Sequence, residues 1–404
     1  MKTDQRFRGV KFFSWVGLLI LVGLGCLTPL PAKAADDVKV GVILPLTGNM
    51  APFGQASLNG LELVNEMIQK EGGVLGGKKI TLISTDCGSD PTTAASIARR
   101  LISRDRVSAI IGAFASSLSL AISEVTERSE VPFLTMSFTD LLTKRNFKYI
   151  FQVVPRASHM GQAQLNYTLE MAKAAGSEIR QIAIVHEDTA YGSGQADGLA
   201  AEAKRLGVPV VLKDAYPAGL TDAMPLVQKI KNSQADVLFP ISYFTDAVLI
   251  IRSMRQTGLD VPVVGGAAGF VIPEFPEALG DYTEGIFSVN TSSYDHYGEI
   301  GKLYRDKHKK FMTHEGFEHA LILDVLARAI NQAKSPDPKK IAQSLREIRV
   351  DSKIAQGLPG KLVAFDKTGL NASAYPIMVQ WKKREMVTIW PASDAKDKLI
   401  WKKK

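Results

Sequence analysis

The chain has 404 residues, 46% of them hydrophobic and 22% charged, which excludes a disordered or fibrous polymer and leaves room for two or three domains. The formal charge of +8 is concentrated at the start, because residues 1–34 hold five Lys/Arg and one Asp and the rest carries only +4. A balance so small and scattered gives no support to a nucleic-acid surface, and the final Trp-Lys-Lys-Lys reads as a solvated end.

At the N-terminus Arg6, Arg8 and Lys11 precede an apolar run, Phe12 to Leu27, which leads to Ala32-Lys33-Ala34. This is the pattern of a secretory signal peptide cut after Ala34, so the mature chain is expected outside the cytoplasm. Cys26 in "VGLGCL" offers lipid attachment as an alternative, against which stands Gly23, where such signals carry a branched apolar residue. Beyond the cut only Cys87 is left, so no internal disulfide is expected and the thiol reads as a small buried or half-buried group.

From Val38 onward short β-branched runs alternate with longer amphipathic ones. "VKVGVIL" precedes 55–70, "KITLIST" precedes 92–102, and "VSAIIG" precedes 118–127. The alternation predicts parallel βαβ units, and Asp90-Pro91 marks a helix start. "QIAIVHE", "VPVVLKD", "ADVLFPI" and "VPVVGG" continue the pattern. The stretches 85–107 and 214–236 carry the same succession of strand end, loop, helix and strand start, as do "VGVILPLTGNMAPFGQA" and "IAIVHEDTAYGSGQA". One architecture used twice is therefore expected, with Phe53-Gly54 and Tyr191-Gly192 at equivalent places. Ligands of doubly wound sheets bind beyond the carboxyl ends of strands, so both aromatics line a cleft if the halves face each other, or pack at loop bases if they do not.

The long ordered stretch "VKVGVILPLTGNMAPFGQASLNGLELVNEMI" with "EGGVLGGKKITLISTDCGSDPTTA" resembles the first lobe of the periplasmic solute-binding proteins of ABC importers, in the leucine/isoleucine/valine-binding branch. The resemblance covers nearly the whole mature chain. It implies an α/β fold of two doubly wound parallel-sheet lobes joined by three hinge segments, capture of a ligand by closure, and delivery to a membrane permease. The expected division is a signal peptide at 1–34, an N-terminal lobe at 35–153 with 289–362, and a C-terminal lobe at 154–288 with 363–404.

The same resemblance assigns Ser116 and Ser117, in the loop after the third strand, to the ligand's carboxylate. A helix start there would add unpaired N–H groups, while plain capping is the alternative use of the serines. Ser137 and Thr139 match the family's second pair of contacts with a register open by one. The second lobe would add Tyr191 and either Tyr243 or Phe244. Where amino-acid binders of the family carry an acid for the ligand's ammonium, this chain has Ala268. An ammonium enclosed there without a carboxylate would lose a charge-assisted bond worth roughly 1.5–3 kcal/mol. An amine-free hydrophobic or aromatic acid is therefore expected, with walls from Phe53, Phe114, Tyr243 and Phe270, unless Asp246, Asp188 or Asp295 supplies the charge for a hydrophobic amino acid.

Other chemistries find little support. In "HEGFEH" His314 and His319 are five apart and point about 140° away from each other, so the segment reads as a surface or partly buried helix and not a zinc site. "DCGSD" lacks the calcium-loop pattern, and no GK[ST] or G-x-S-x-G occurs. The expectation is a monomeric, non-enzymatic binding protein without cofactor or metal, whose partners are a small carboxylate and a permease. A ligand-sensing receptor module and an exported α/β enzyme are the rival classes.

Overall fold

The computed structural model describes residues 37–401; the expected signal peptide and Cys26 lie outside them. The first sheet is parallel, in the order β2-β1-β3-β4-β5, built from β1 (Val38–Leu44), β2 (Ile80–Asp86), β3 (Ala109–Gly112), β4 (Phe133–Thr135) and β5 (Ile150–Gln152). β3 and β4 are buried throughout and β1 at every position but Lys39. Such continuous apolar runs are what a parallel sheet covered on both faces by helices demands.

The second layer contains β6 (Ile182–Glu187), β7 (Val210–Tyr216), β8 (Val237–Ile241), β9 (Val264–Gly265) and β10 (Phe287–Asn290). β7-β6-β8 are parallel, and a parallel bridge from Leu238 to Val263 joins them to β9 and β10. A short pair, β11 (Arg349–Val350) and β12 (Val363–Ala364), lies between. Antiparallel β13 (Ile377–Lys382) and β14 (Glu385–Trp390) then close the far edge of the second layer. The repetition read from the sequence is present: β2, helix Pro91–Ser103 and β3 follow one another in the first half as β7, helix Met224–Ser233 and β8 do in the second.

The chain passes from first half to second after β5 and returns after β10. The expected last boundary at 362 needs correction. β12 pairs with β11, Leu370 bridges Gln152, the Asn371 N–H donates to the Gln152 carbonyl (2.8 Å), and Asn371 Nδ2 donates to the Val153 carbonyl (3.1 Å). Residues 363–371 thus belong with the first half, and the last crossing lies between Asn371 and β13. The partners of so short a strand are distant in sequence, which no local pattern reports.

Candidate functional site

In each sheet a strand is flanked by neighbours reached in opposite directions, and at such a switch point the helices that follow diverge and leave a crevice. β1 and β3 form one switch point, β6 and β8 the other. The four helices leaving these strands start with Ala51–Lys70, Ser116–Arg128, Ala190–Leu206 and Phe244–Gln256. Phe53, Ser116, Tyr191 and Tyr243 stand at those four starts, so both halves send their switch points to one cleft. Gly54 and Gly192 let two of the helices seat tightly on the preceding strands. A Cβ on Gly54 would lie 1.9 Å from the Pro45 carbonyl oxygen, and one on Gly192 would lie 2.2 Å from that of Glu187.

Aromatic rings close this cleft. Phe53 meets Phe114 at 5.2 Å between ring centroids and Tyr243 at 5.8 Å, and Tyr243 lies 6.2 Å from Phe114 and 5.1 Å from Tyr191. Tyr191 approaches Phe138 at 6.1 Å, and Phe138 stacks on His314 at 6.4 Å with planes 8° apart. Phe53, Phe114, Phe138 and His314 come from the first half, Tyr191 and Tyr243 from the second. The Tyr191 hydroxyl donates to the Gly266 carbonyl, and burial pushes both phenols well above their ordinary range. A groove of about 300 Å³ runs past Phe53, Ile272, Glu274, Tyr304, Phe311 and Thr313. A larger hollow, about 640 Å³ beside Arg180 and Asp260, lies at the amino ends of β6 and β8, away from every ring of the cleft.

The helix Ser116–Arg128 begins on Ala115, which gives no side-chain cap. The first paired amide is Ser119, bonded to the Ala115 carbonyl at 3.0 Å. The amides of Ser116, Ser117 and Leu118 therefore have no helical partner, and Ser116 and Leu118 are buried. The serines do not cap; they stand at the first two helical positions of an end whose partial positive charge is unanswered.

Ser137 is not available in the way expected. Its hydroxyl lies 2.9 and 2.8 Å from the carbonyl oxygens of Ala113 and Phe114 and bonds Ser119 Oγ, its N–H donates to Thr135 Oγ1 (3.1 Å), and its carbonyl accepts from Gln152 Nε2 (2.8 Å). It holds the ends of β3 and β4 together. Thr139 is buried beyond Phe138. Of Tyr243 and Phe244, it is Tyr243 whose ring meets the other rings of the cleft. Phe270 is corrected: it is fully buried in the second half against Phe275 (5.4 Å), and its carbonyl accepts from Trp381 Nε1 (2.7 Å). Ala268 and Ala267 have φ of 42° and 74°, a left-handed turn strained for residues with a Cβ.

The three aspartates weighed as substitutes for the missing acid are placed elsewhere. Asp246 accepts from the amides of Gly219 and Leu220 (both 2.9 Å), Asp295 accepts from Thr388 N–H (2.7 Å) and Oγ1 (2.8 Å), and Asp188 is exposed. Two other carboxylates lie close to the cleft tyrosines. Glu187, buried at the end of β6, accepts from Thr189 Oγ1 (2.8 Å) and Tyr243 N–H (3.1 Å), and burial pushes its carboxyl up to about 7. Glu315 is pushed up to about 8 by burial. It follows His314 at the start of the helix His314–Ala333, which is buried at every position from His314 to Ala327 and is not the surface or partly buried element expected. Among the described residues no group of His, Cys, Asp or Glu has the arrangement of a metal site.

Two half-molecules with converging strand ends, a ring of aromatics between them and an unanswered helix start define a two-lobed ligand-capturing protein. The chain belongs to the periplasmic binding protein family, whose model matches residues 37–385. It is 31% identical over 387 residues to the Leu/Ile/Val-binding protein homolog 8 of Brucella suis biovar 1 (92% of this chain, 94% of the relative). To homolog 7 of the same organism it is 30% identical over 397 residues (93% and 97%). In fold it is similar to a leucine-binding protein of Thermotoga maritima (TM-score 0.78, 24% identity, 87% of this chain and 98% of the other). It is likewise similar to a branched-chain amino acid transporter substrate-binding protein of Streptococcus pneumoniae solved with isoleucine (TM-score 0.77, 22% identity, 88% and 100%). No helix among the described residues is long and apolar enough to cross a membrane.

Proposed function

We propose that this protein captures a small carboxylate with an apolar body between its two halves and, closed around it, presents it to the permease of an ABC importer from the extracytoplasmic side. The observation that carries the reading is the buried, uncapped start of the helix Ser116–Arg128, which supplies amide protons and positive potential beside the rings of Phe53, Phe114 and Tyr243. Its hydroxyls at Ser116 and Ser117 add donors, and Tyr191 with Tyr243 brings the second half onto the apolar part of the ligand. Because both halves touch the guest only when shut, binding draws the population toward closure. The relatives' names, all of Leu/Ile/Val-binding homologs, favour hydrophobic acids over sugars or cations.

Thermal unfolding against a panel of hydrophobic amino acids, their amine-free analogues and aromatic acids tests this. A ligand at a hundred times its Kd stabilises by about 2.7 kcal/mol, which shifts the midpoint measurably. A panel that leaves the midpoint unmoved, while sugars or polyamines raise it, would overturn the carboxylate assignment.

A further inference from the structure

The start of the helix His314–Ala333 carries polar atoms that the fold leaves unanswered. His314 and Glu315 are 3% and 2% exposed, and His314 Nε2 lies 3.2 Å from Glu315 Oε1. The other atom of each side chain, His314 Nδ1 and Glu315 Oε2, is buried without any hydrogen-bond partner. Native folds rarely leave such atoms orphaned, because each forfeits its bonds to water without replacement. His314 is also the last ring of the cleft: it stacks on Phe138, which in turn approaches Tyr191 of the other half at 6.1 Å. The orphaned pair therefore borders the space that closes on a ligand.

The two atoms ask for the same kind of guest. A carboxylate oxygen accepts, and a neutral imidazole keeps one nitrogen as an acceptor, so Glu315 Oε2 and the His314 ring can both take a donor. An ammonium group has three N–H donors and no acceptor, so it suits an orphaned carboxylate oxygen that stands beside an accepting imidazole. Among the described residues no basic side chain answers that oxygen already. The groups influencing Glu315 and His314 are Thr313, Glu274 and His319, and the nearby Glu318 is itself a buried acid.

We propose that the His314–Glu315 pair is the amine-binding subsite of the cleft, taking the protonated amine of an amino-acid ligand in place of the carboxylate absent at Ala268. This rests on the carboxylate reading above and narrows it to ligands bearing both charges. Glu315 in the empty cleft holds a proton at neutral pH because burial disfavours its charge. An arriving ammonium reverses that preference, so the Glu315 O–H bond breaks, the proton leaves to solvent, and the carboxylate stays paired with the ligand.

Titration calorimetry of the whole protein at neutral pH, in two buffers of different ionisation heat, tests the assignment. The probes are leucine, its amine-free analogue isocaproate, and δ-aminovalerate, whose amine lies at the far end. Leucine or δ-aminovalerate, according to which amine reaches the pair, should bind about tenfold or more tighter than isocaproate and release a large fraction of one proton. Glu315→Gln should remove that advantage and the proton release, so that the amino acid and isocaproate bind alike, and a cooperative unfolding transition shows that the variant is folded. An unchanged affinity and proton count for the amino acid in Glu315→Gln would overturn the subsite, as would a wild-type preference for isocaproate, which leaves the carboxylate reading standing. Binding of none of the three acids would overturn both.

Discussion

Tyr243 of the second half meets Phe53 of the first edge-on, with ring centroids 5.8 Å apart and planes at 64°. Its ring also contacts Phe114 and Tyr191, so one side chain links both walls of the cleft. Such pairs contribute roughly 0.5–1.5 kcal/mol each beyond the area they bury. Tyr243→Ala should therefore weaken ligand binding by about tenfold to a hundredfold. Scattering should show a larger radius of gyration for the variant at ligand concentrations that close the wild type. An unaltered affinity would mean the rings pack without gripping the guest.

Ser116 offers a way to remove an amide proton without breaking the helix. It is the first helical residue, a position where proline is tolerated, and Ala115 before it is extended at φ −67° and ψ 127°, as a residue preceding proline must be. Ser116→Pro deletes both the hydroxyl and one N–H donor, whereas Ser116→Ala deletes only the hydroxyl. Hydrogen bonds to a charged group contribute roughly 1.5–3 kcal/mol, so the proline variant should lose about tenfold to a hundredfold in affinity and the alanine variant distinctly less. Equal losses in calorimetry would give the anchoring role to the hydroxyl alone.

Most of the cleft's skeleton was legible in the sequence, because strands, helix starts and the doubled pattern are local signals. Phe53 with Tyr191, and Ser116, follow strand ends, and strand ends are where this architecture keeps its sites. Residues whose role depends on distant partners were not legible. Ser137 sits in the expected segment, yet its hydroxyl is taken by the carbonyls of Ala113 and Phe114 just beyond β3, which only pairing brings near. Phe270 has the right composition but turns into the core of its own half. The helix from His314 is charged enough to read as an outer face, and only its packing against the helices Ala51–Lys70 and Pro338–Glu347 and against β3 and β4 makes Glu315, Glu318 and His319 buried groups. The one available signal was compositional: "HEGFEHALILDVLARAI" mixes its charges into a run otherwise apolar on all sides, unlike a solvated helix.

Cys87 gives a test of the closed packing around β2. Its thiol is buried, and burial first, with Asp86 adding to it, pushes the group up to about 12. The thiolate is the reactive form, so the native protein should resist thiol reagents at neutral pH and be labelled rapidly in denaturant. Fast stoichiometric labelling of Cys87 in the native protein, read by mass spectrometry, would show that this end of the first half opens in solution.

The crossing from β10 back to the first half is tied by a buried acid. Glu318 Oε1 accepts from the hydroxyls of Thr291 and Ser292, the latter at 2.9 Å, and burial pushes the carboxyl up to about 8; Glu315 behaves alike. An acid whose folded value lies above its unfolded one near 4.5 contributes fully below that unfolded value, and its contribution is lost as pH rises toward 8. His314 and His319 act oppositely: burial holds them down at about 3 and about 4, so their contribution is present above an unfolded value near 6.5 and is lost as pH falls. Below pH 6.5 the two effects offset each other, and between about 6.5 and 8 only the acids act, each at up to about 1.4 kcal/mol per unit. Denaturant titrations should therefore find the greatest stability on the acid side of neutrality and a decline toward pH 8. Glu318→Gln keeps an acceptor oxygen for Thr291 and Ser292 but cannot ionise. Its stability relative to the wild type should rise between pH 5 and pH 8, and a difference that stays constant over that range would show that Glu318 is already charged in the fold.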